Sequence, residues 1–155
     1  MTYQEYLSKI DLSDSKRAQI FGSDTIVLYE EVFQWKWFAT KLKIFSFLTY
    51  SSEIDKQHIE SYSGECLQYA IQNLKGLPKG WQNGVLSNNV LISELVTPDA
   101  IAYVTSTPAK HFAAIEMPVI FDLSSGNLHF YTDKLVWGSM YCSFIKGYLT
   151  DRFLV

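Results

Sequence analysis

Between Ser52 and Leu74 apolar side chains return every three or four residues: Ile59, Tyr62, Cys66, Ala70 and Leu74, with Leu67 and Ile71 widening the stripe. Lys56, Glu60, Glu65 and Gln72 stay polar. This spacing predicts an amphipathic helix over 53–74. Ser52 serves as its cap, and Glu53 and Asp55 occupy the first turn, where the positive helix end favours acids. Lys75-Gly76 ends it and Pro78 forbids a restart.

The chain before this helix divides in two. Thr2-Tyr3-Gln4-Glu5 fits a capping box and predicts a helix to Ile10. Ser13-Asp14-Ser15 then caps a second short helix to Ile20, ended by Gly22, which makes 2–21 a helical N-terminal segment. From Thr25 to Tyr50 the residues turn β-branched and aromatic. Leu42 and Ile44 alternate with Lys41 and Lys43, the period of a strand with lysines on its wet face, and Phe45 to Leu48 is wholly apolar. Ile26 to Trp37 is read as strand, although Ile26, Tyr29, Val32, Phe33 and Trp37 would also suit one helix face.

After the long helix, Gly76, Gly80 and Gly84 stand four apart in a loop. A phosphate loop needs Gly-x-x-x-x-Gly-Lys-Ser/Thr after a strand and before a helix, and this loop has the opposite order, so its glycines read as a cap and turns. Val85 to Glu94 is a strand, and Thr97-Pro98 opens a short helix with Ile101 and Val104 inward. His111 through Leu123 is apolar on both faces and belongs near the centre of a covered sheet. Pro118 within it requires a bulge or an unpaired side. Ser124 to Asn127 is a turn, Leu128 to Tyr131 returns antiparallel, and a last helix over 137–150 gathers Trp137, Met140, Tyr141, Phe144, Ile145, Tyr148 and Leu149 on one face. Gly147 weakens that helix unless close packing needs the space.

These elements define an α/β (or α+β) fold, a single-domain sandwich over 1–155 with a mixed β-sheet of about four to six strands and helices packed on its faces. Composition supports a packed core, with 48% hydrophobic and 15% aromatic residues, and excludes disorder, since only 19% are charged. Charge narrows the partners: 13 Lys+Arg stand against 16 Asp+Glu, and the only arginines are Arg17 and Arg152. An acidic chain short of guanidinium forks ranks nucleic acid last, through Lys36, Lys41 and Lys43 beside Trp35, Trp37 and Phe38. No stretch is long and apolar enough to span a membrane, and no secretory pattern opens the chain. Two cysteines without a CxxC, and no Asn-x-Ser/Thr, point to a reducing cytoplasm. No metal-ligand spacing and no cofactor motif is present.

Glu116 is the first candidate for chemistry, because a carboxylate in an apolar strand must be paired, exposed or protonated. His111 lies five residues before it, about 16 Å away along an unbroken strand and on the opposite face, so the two meet only if the strand breaks. His129 is expected to face Asp122 across the hairpin, and a Ser-His-Asp site from Ser124 or Ser125 lacks a nucleophile elbow. An acid-x-Lys nuclease element is missing beside Glu116 and Asp122. The aromatic excess is the stronger signal: Trp35, Trp37, Trp81 and Trp137 are candidates for a binding surface. The chain is therefore expected to be a non-catalytic binding or protein-interaction domain, a homodimer in its first form. The alternatives are a small hydrolase using Glu116 with His111 or His129, and the nucleic-acid reading.

Overall fold

The computed structural model describes residues 1–37, 41–75, 83–135 and 139–155. The chain forms one open mixed sheet in the order β1-β2-β3-β4-β6-β5, with β7 also on β6. The strands are β1 (Lys16–Ile20), β2 (Ser23–Phe33), β3 (Lys41–Tyr50), β4 (Asn83–Ser93), β5 (Lys110–His111), β6 (Ala114–Asp122) and β7 (Asn127–His129). The described residues form seven strands where about four to six were expected, because Lys16–Ile20 is a strand rather than a helix and Lys110–His111 is set apart from β6 as a strand of its own. The helices are α1 (Tyr3–Lys9), α2 (Lys56–Gln72), α3 (Pro98–Val104) and α4 (Cys142–Phe153).

The capping box at Thr2 forms as expected: its hydroxyl accepts from the Glu5 N–H while Glu5 accepts from the Thr2 N–H. The second N-terminal helix does not form. Phe21 (φ 51°) and Gly22 (φ 69°) are both left-handed, the signature of a two-residue hairpin turn whose twist matches paired strands. Lys16–Ile20 is consequently an edge strand on β2 rather than a helix. The turn docks on α2, where Glu65 accepts from the Phe21 N–H at 2.9 Å. The cap of α2 is Asp55, whose carboxylate accepts from the His58 N–H, and not Ser52. Ile54 is instead held in a bridge to Val96.

Strands β3, β4 and β6 run parallel, and the antiparallel β1 and β2 extend the sheet on one side. Alternation divides their side chains between two cores. Ile26, Leu28, Leu42, Ile44, Leu48, Leu86, Val90, Val119 and Phe121 pack with α1 and α4. Val27, Phe45, Phe47, Val85, Leu91, Ala114 and Ile120 pack with α2 and α3. Both faces of β6 are covered, as its pattern required.

Pro118 lies in unbroken register opposite Asn89, so there is no bulge. The Leu123 N–H points to β4, donating to the Ser93 carbonyl, whereas the Asp122 carbonyl accepts from Gly126 on the other side. Alternation puts Pro118 on the Asp122 side, in the gap between β5 and β7, where no strand requires its missing donor.

On the last helix, Ile145, Leu149 and Phe153 are buried, but Met140, expected on the inner face, is 43% exposed in the 3-10 turn leading into α4. In α3 the inward residues are Ala100 and Val104, with Ile101 half-buried.

Candidate functional site

The strand containing Glu116 is broken after all. Ala113 has φ 52°, a left-handed conformation unusual for a residue with a Cβ. This turn folds β5 back on β6, with His111 opposite Ala114. The imidazole thereby reaches round the turn, and its Nε2 lies 2.6 Å from the Glu116 carboxylate. The separation expected of a continuous strand is overturned for this pair, and the positive φ at Ala113 is the physical reason. A carboxylate only accepts, so the proton sits on Nε2 and Nδ1 is left to other partners. Glu116 is 7% exposed and lies beside Ser87 of β4 in register. Its negative charge reaches α2 and α3: burial first, and Glu116 second among the groups that push the same way, raise the Cys66 thiol and the Tyr103 phenol above their ordinary values. Cys66 is thus a buried, protonated thiol rather than a nucleophile.

The other acid–base candidates do not meet one another. Asp122 accepts from the backbone and hydroxyl groups of Ser124 and Ser125, capping the β6–β7 turn. Partial burial pushes its carboxyl up, but these bonds outweigh it and hold the pKa below the ordinary value. His129 is opposite Ile120, not Asp122, and its buried Nε2 has no partner among the described residues. The expected His129–Asp122 contact is therefore absent, because β7 pairs two residues earlier along β6 than a turn centred on Ser125 and Gly126 implied. Among the described residues no cluster of three His, Cys, Asp or Glu could hold a metal ion.

The tryptophans also separate. In the 3-10 turn Trp35–Trp37, Trp37 is fully buried against Tyr141 and Phe144, whereas Trp35 is 82% exposed. Trp35 packs edge-on against Phe33, itself 46% exposed, at a centroid distance of 5.3 Å. Trp81 and Trp137 lie outside the described residues. The lysine stripe dissolves: Lys41 pairs with Glu31 at 3.0 Å, and Lys43 is buried, donating to the Lys75 carbonyl. Lys43 was expected on a wet face, but α2 covers that face. Lys36 and Lys41 are both exposed, and Lys36 is next to Trp35 in the chain.

In open α/β sheets, ligands bind beyond the carboxyl ends of the parallel strands. Here that end is laced with backbone bonds: Ser51 to Ile92, Ile54 to Leu95, Thr97 to Ile54 and Leu123 to Ser93. The exposed pair lies at the opposite end, since Phe33 is in register with Lys41 at the start of β3.

Ser87-Asn88-Asn89 in the middle of β4 is a polar run fully buried on both faces, and the sequence reading passed over it. Three consecutive polar residues inside a strand bounded by Val85-Leu86 and Val90-Leu91-Ile92 are the signal that would have found it. No family model, curated protein or solved structure matches the chain. The fold and its surface define an open, mixed α/β domain with a buried polar centre and an exposed aromatic corner.

Proposed function

We propose that this chain is a non-catalytic binding domain of the cytoplasm that recognises a protein partner, a second copy of itself included. The observation that supports the reading is Trp35, 82% exposed on a turn whose neighbour Trp37 is locked in the core. A large ring left in water is what an interface anchor offers, since it contributes much area for few rotatable bonds. Cys66 and Cys142 form no disulfide with one another, which accords with a reducing compartment. The test is affinity capture with wild type and Trp35→Ala. Proteins retained by the first and lost in the second, with melting unchanged, support the reading. Identical capture by both would end it.

A second reading rests on the 2.6 Å His111–Glu116 pair. A small hydrolase would use Glu116 to hold the imidazole and Nδ1 as its base. Hydrolysis of an activated ester that disappears in both His111→Gln and Glu116→Gln, in folded protein, would favour it over the first.

A further inference from the structure

β1 covers β2 only from Ser23 to Val27, so Leu28 to Phe33 have no strand on their outer side among the described residues. The turn at Phe21-Gly22 makes Ile20 and Ser23 a pair that exchanges both backbone bonds. Alternation from that pair aims the N–H and C=O groups of Tyr29, Glu31 and Phe33 outward, where no backbone group of the described chain meets them. The stretch has no proline, and its register with β3 is unbroken. It is an open sheet edge, the template on which another strand pairs. A cavity lies on each face beside its head. On the α2 face about 170 Å³ is walled by Val27, Tyr29 and Phe45, with the ammonium groups of Lys16 and Lys75 against Asp14. On the α4 face about 70 Å³ sets Asp11, Asp14 and Glu30 against the single guanidinium of Arg152.

We infer that this edge receives an extended segment of a partner protein, added antiparallel to β2 as β1 is, with basic side chains toward the α4 face and apolar or acidic ones toward the α2 face. The inference rests on the partner reading above and gives it a binding mode. Main-chain bonds supply the affinity of such an addition, and the alternate side chains supply its selectivity. The excess of carboxylates on the α4 face attracts lysine or arginine, while the apolar walls and two ammonium groups on the other face do not. The edge ends at the exposed Phe33, against which Trp35 packs, so a strand that runs its length arrives at the aromatic corner. A second copy of this chain is the wrong occupant. Two such edges paired antiparallel about Glu30, about Glu31 or about the point between them set glutamate opposite glutamate, like charge against like charge.

The probe is a capped peptide of about eight residues alternating lysine and valine, long enough to span the edge at ~3.3 Å per residue. It is titrated into the isotope-labelled full chain, and the amide shifts are expected to concentrate at Tyr29, Glu31 and Phe33. Glu31→Pro removes an outward N–H that no bond within the sheet uses, and is expected to weaken binding about tenfold. Glu31→Ala keeps that N–H and is expected to bind within about twofold of wild type. Methylating the valine amides of the peptide, which face β2 in this arrangement, is expected to abolish binding to the wild-type chain, and methylating the lysine amides to leave it intact. Equal binding by wild type and Glu31→Pro, indifference to valine methylation, or equal binding of a peptide alternating glutamate and valine overturns the inference. A dimer of the chain that is lost in Glu31→Pro overturns the choice of occupant. Affinity capture separates this edge from the reading beneath it: proteins lost with Trp35→Ala but retained by folded Glu31→Pro overturn the edge and leave the partner reading standing.

Discussion

Both faces of the sheet bury polar side chains on β3 and β4, and the two faces satisfy them differently. On the α2 side the bonds form closed sets. Tyr62 donates to Thr49 at 2.9 Å and Thr49 pairs with Thr25 at 2.6 Å, whose hydroxyl donates to the Ser23 carbonyl. Ser87 donates to Asn89, whose amide reaches the Ser63 hydroxyl at 2.7 Å. On the α4 side the bonds form a line that ends in water. Asn88 donates to Ser46, Ser46 meets the Tyr148 hydroxyl at 3.4 Å, and Tyr148 donates to Glu30, which also holds Arg152 at 3.0 Å. Burial first, then the hydrogen bond to Glu30 among the raising causes, keeps the Tyr148 phenol protonated. Along this line the Asn88 carbonyl oxygen, the Arg152 Nε and the nearby Trp37 Nε1 have no partner among the described residues. A buried polar atom left unpaired costs about 1–3 kcal/mol. Among the β3 and β4 side chains the α2 side is therefore the better satisfied, although the His129 Nε2 of β7, opposite Ile120 on that side, also lacks a partner among the described residues.

The sharpest way to break this comparison is to delete adjacent amides. Asn89→Ala orphans buried hydroxyls of Ser63 and Ser87 and is expected to destabilise by about 3 kcal/mol in urea unfolding. His111→Ala strands the Glu116 carboxylate on the same face and is expected to cost about 2 kcal/mol, with amide exchange rising first in β5. Asn88→Ala removes a group already half unsatisfied, so about 1 kcal/mol is expected. Equal losses at Asn88 and Asn89 would dissolve the distinction between the faces. Ala113→Gly relieves a left-handed residue and is expected to stabilise by about 1 kcal/mol, with the His111–Glu116 contact retained in NMR spectra.

The smallest effect concerns pH at the β6–β7 turn. Asp122 has a lowered folded pKa, so its contribution is full above the unfolded value near 3.8 and is lost as pH falls through the lower folded value. Asp122→Asn should therefore lower the melting temperature at neutral pH and make no difference once the wild-type carboxyl is protonated. A difference that persists in strong acid would mean that the carboxylate charge is not what the turn uses.

Much of the fold could be read from local pattern. The capping box at Thr2, the stripe of α2 and the proline start of α3 each depend on neighbours a few residues away, and each formed, although α2 begins at Lys56 behind an Asp55 cap rather than at Glu53 behind Ser52. Phe21-Gly22 was misread because a single Gly ends a helix or turns a hairpin equally well, and only the presence of β2 to pair with decides. The exposed member of the aromatic set was equally hidden. Trp35 and Trp37 have the same composition and nearly the same flanks, and a 3-10 turn sent one into the core and the other into water.

The sequence alone determined a covered, mixed α/β sheet and named Glu116 as the charge needing a partner, because hydrophobic period and desolvation are properties of residues in order. Only the tertiary structure decided who that partner is. A left-handed Ala113 folds His111 back, which no periodicity encodes, since pairing across a turn depends on backbone angles set by the strand waiting beside it.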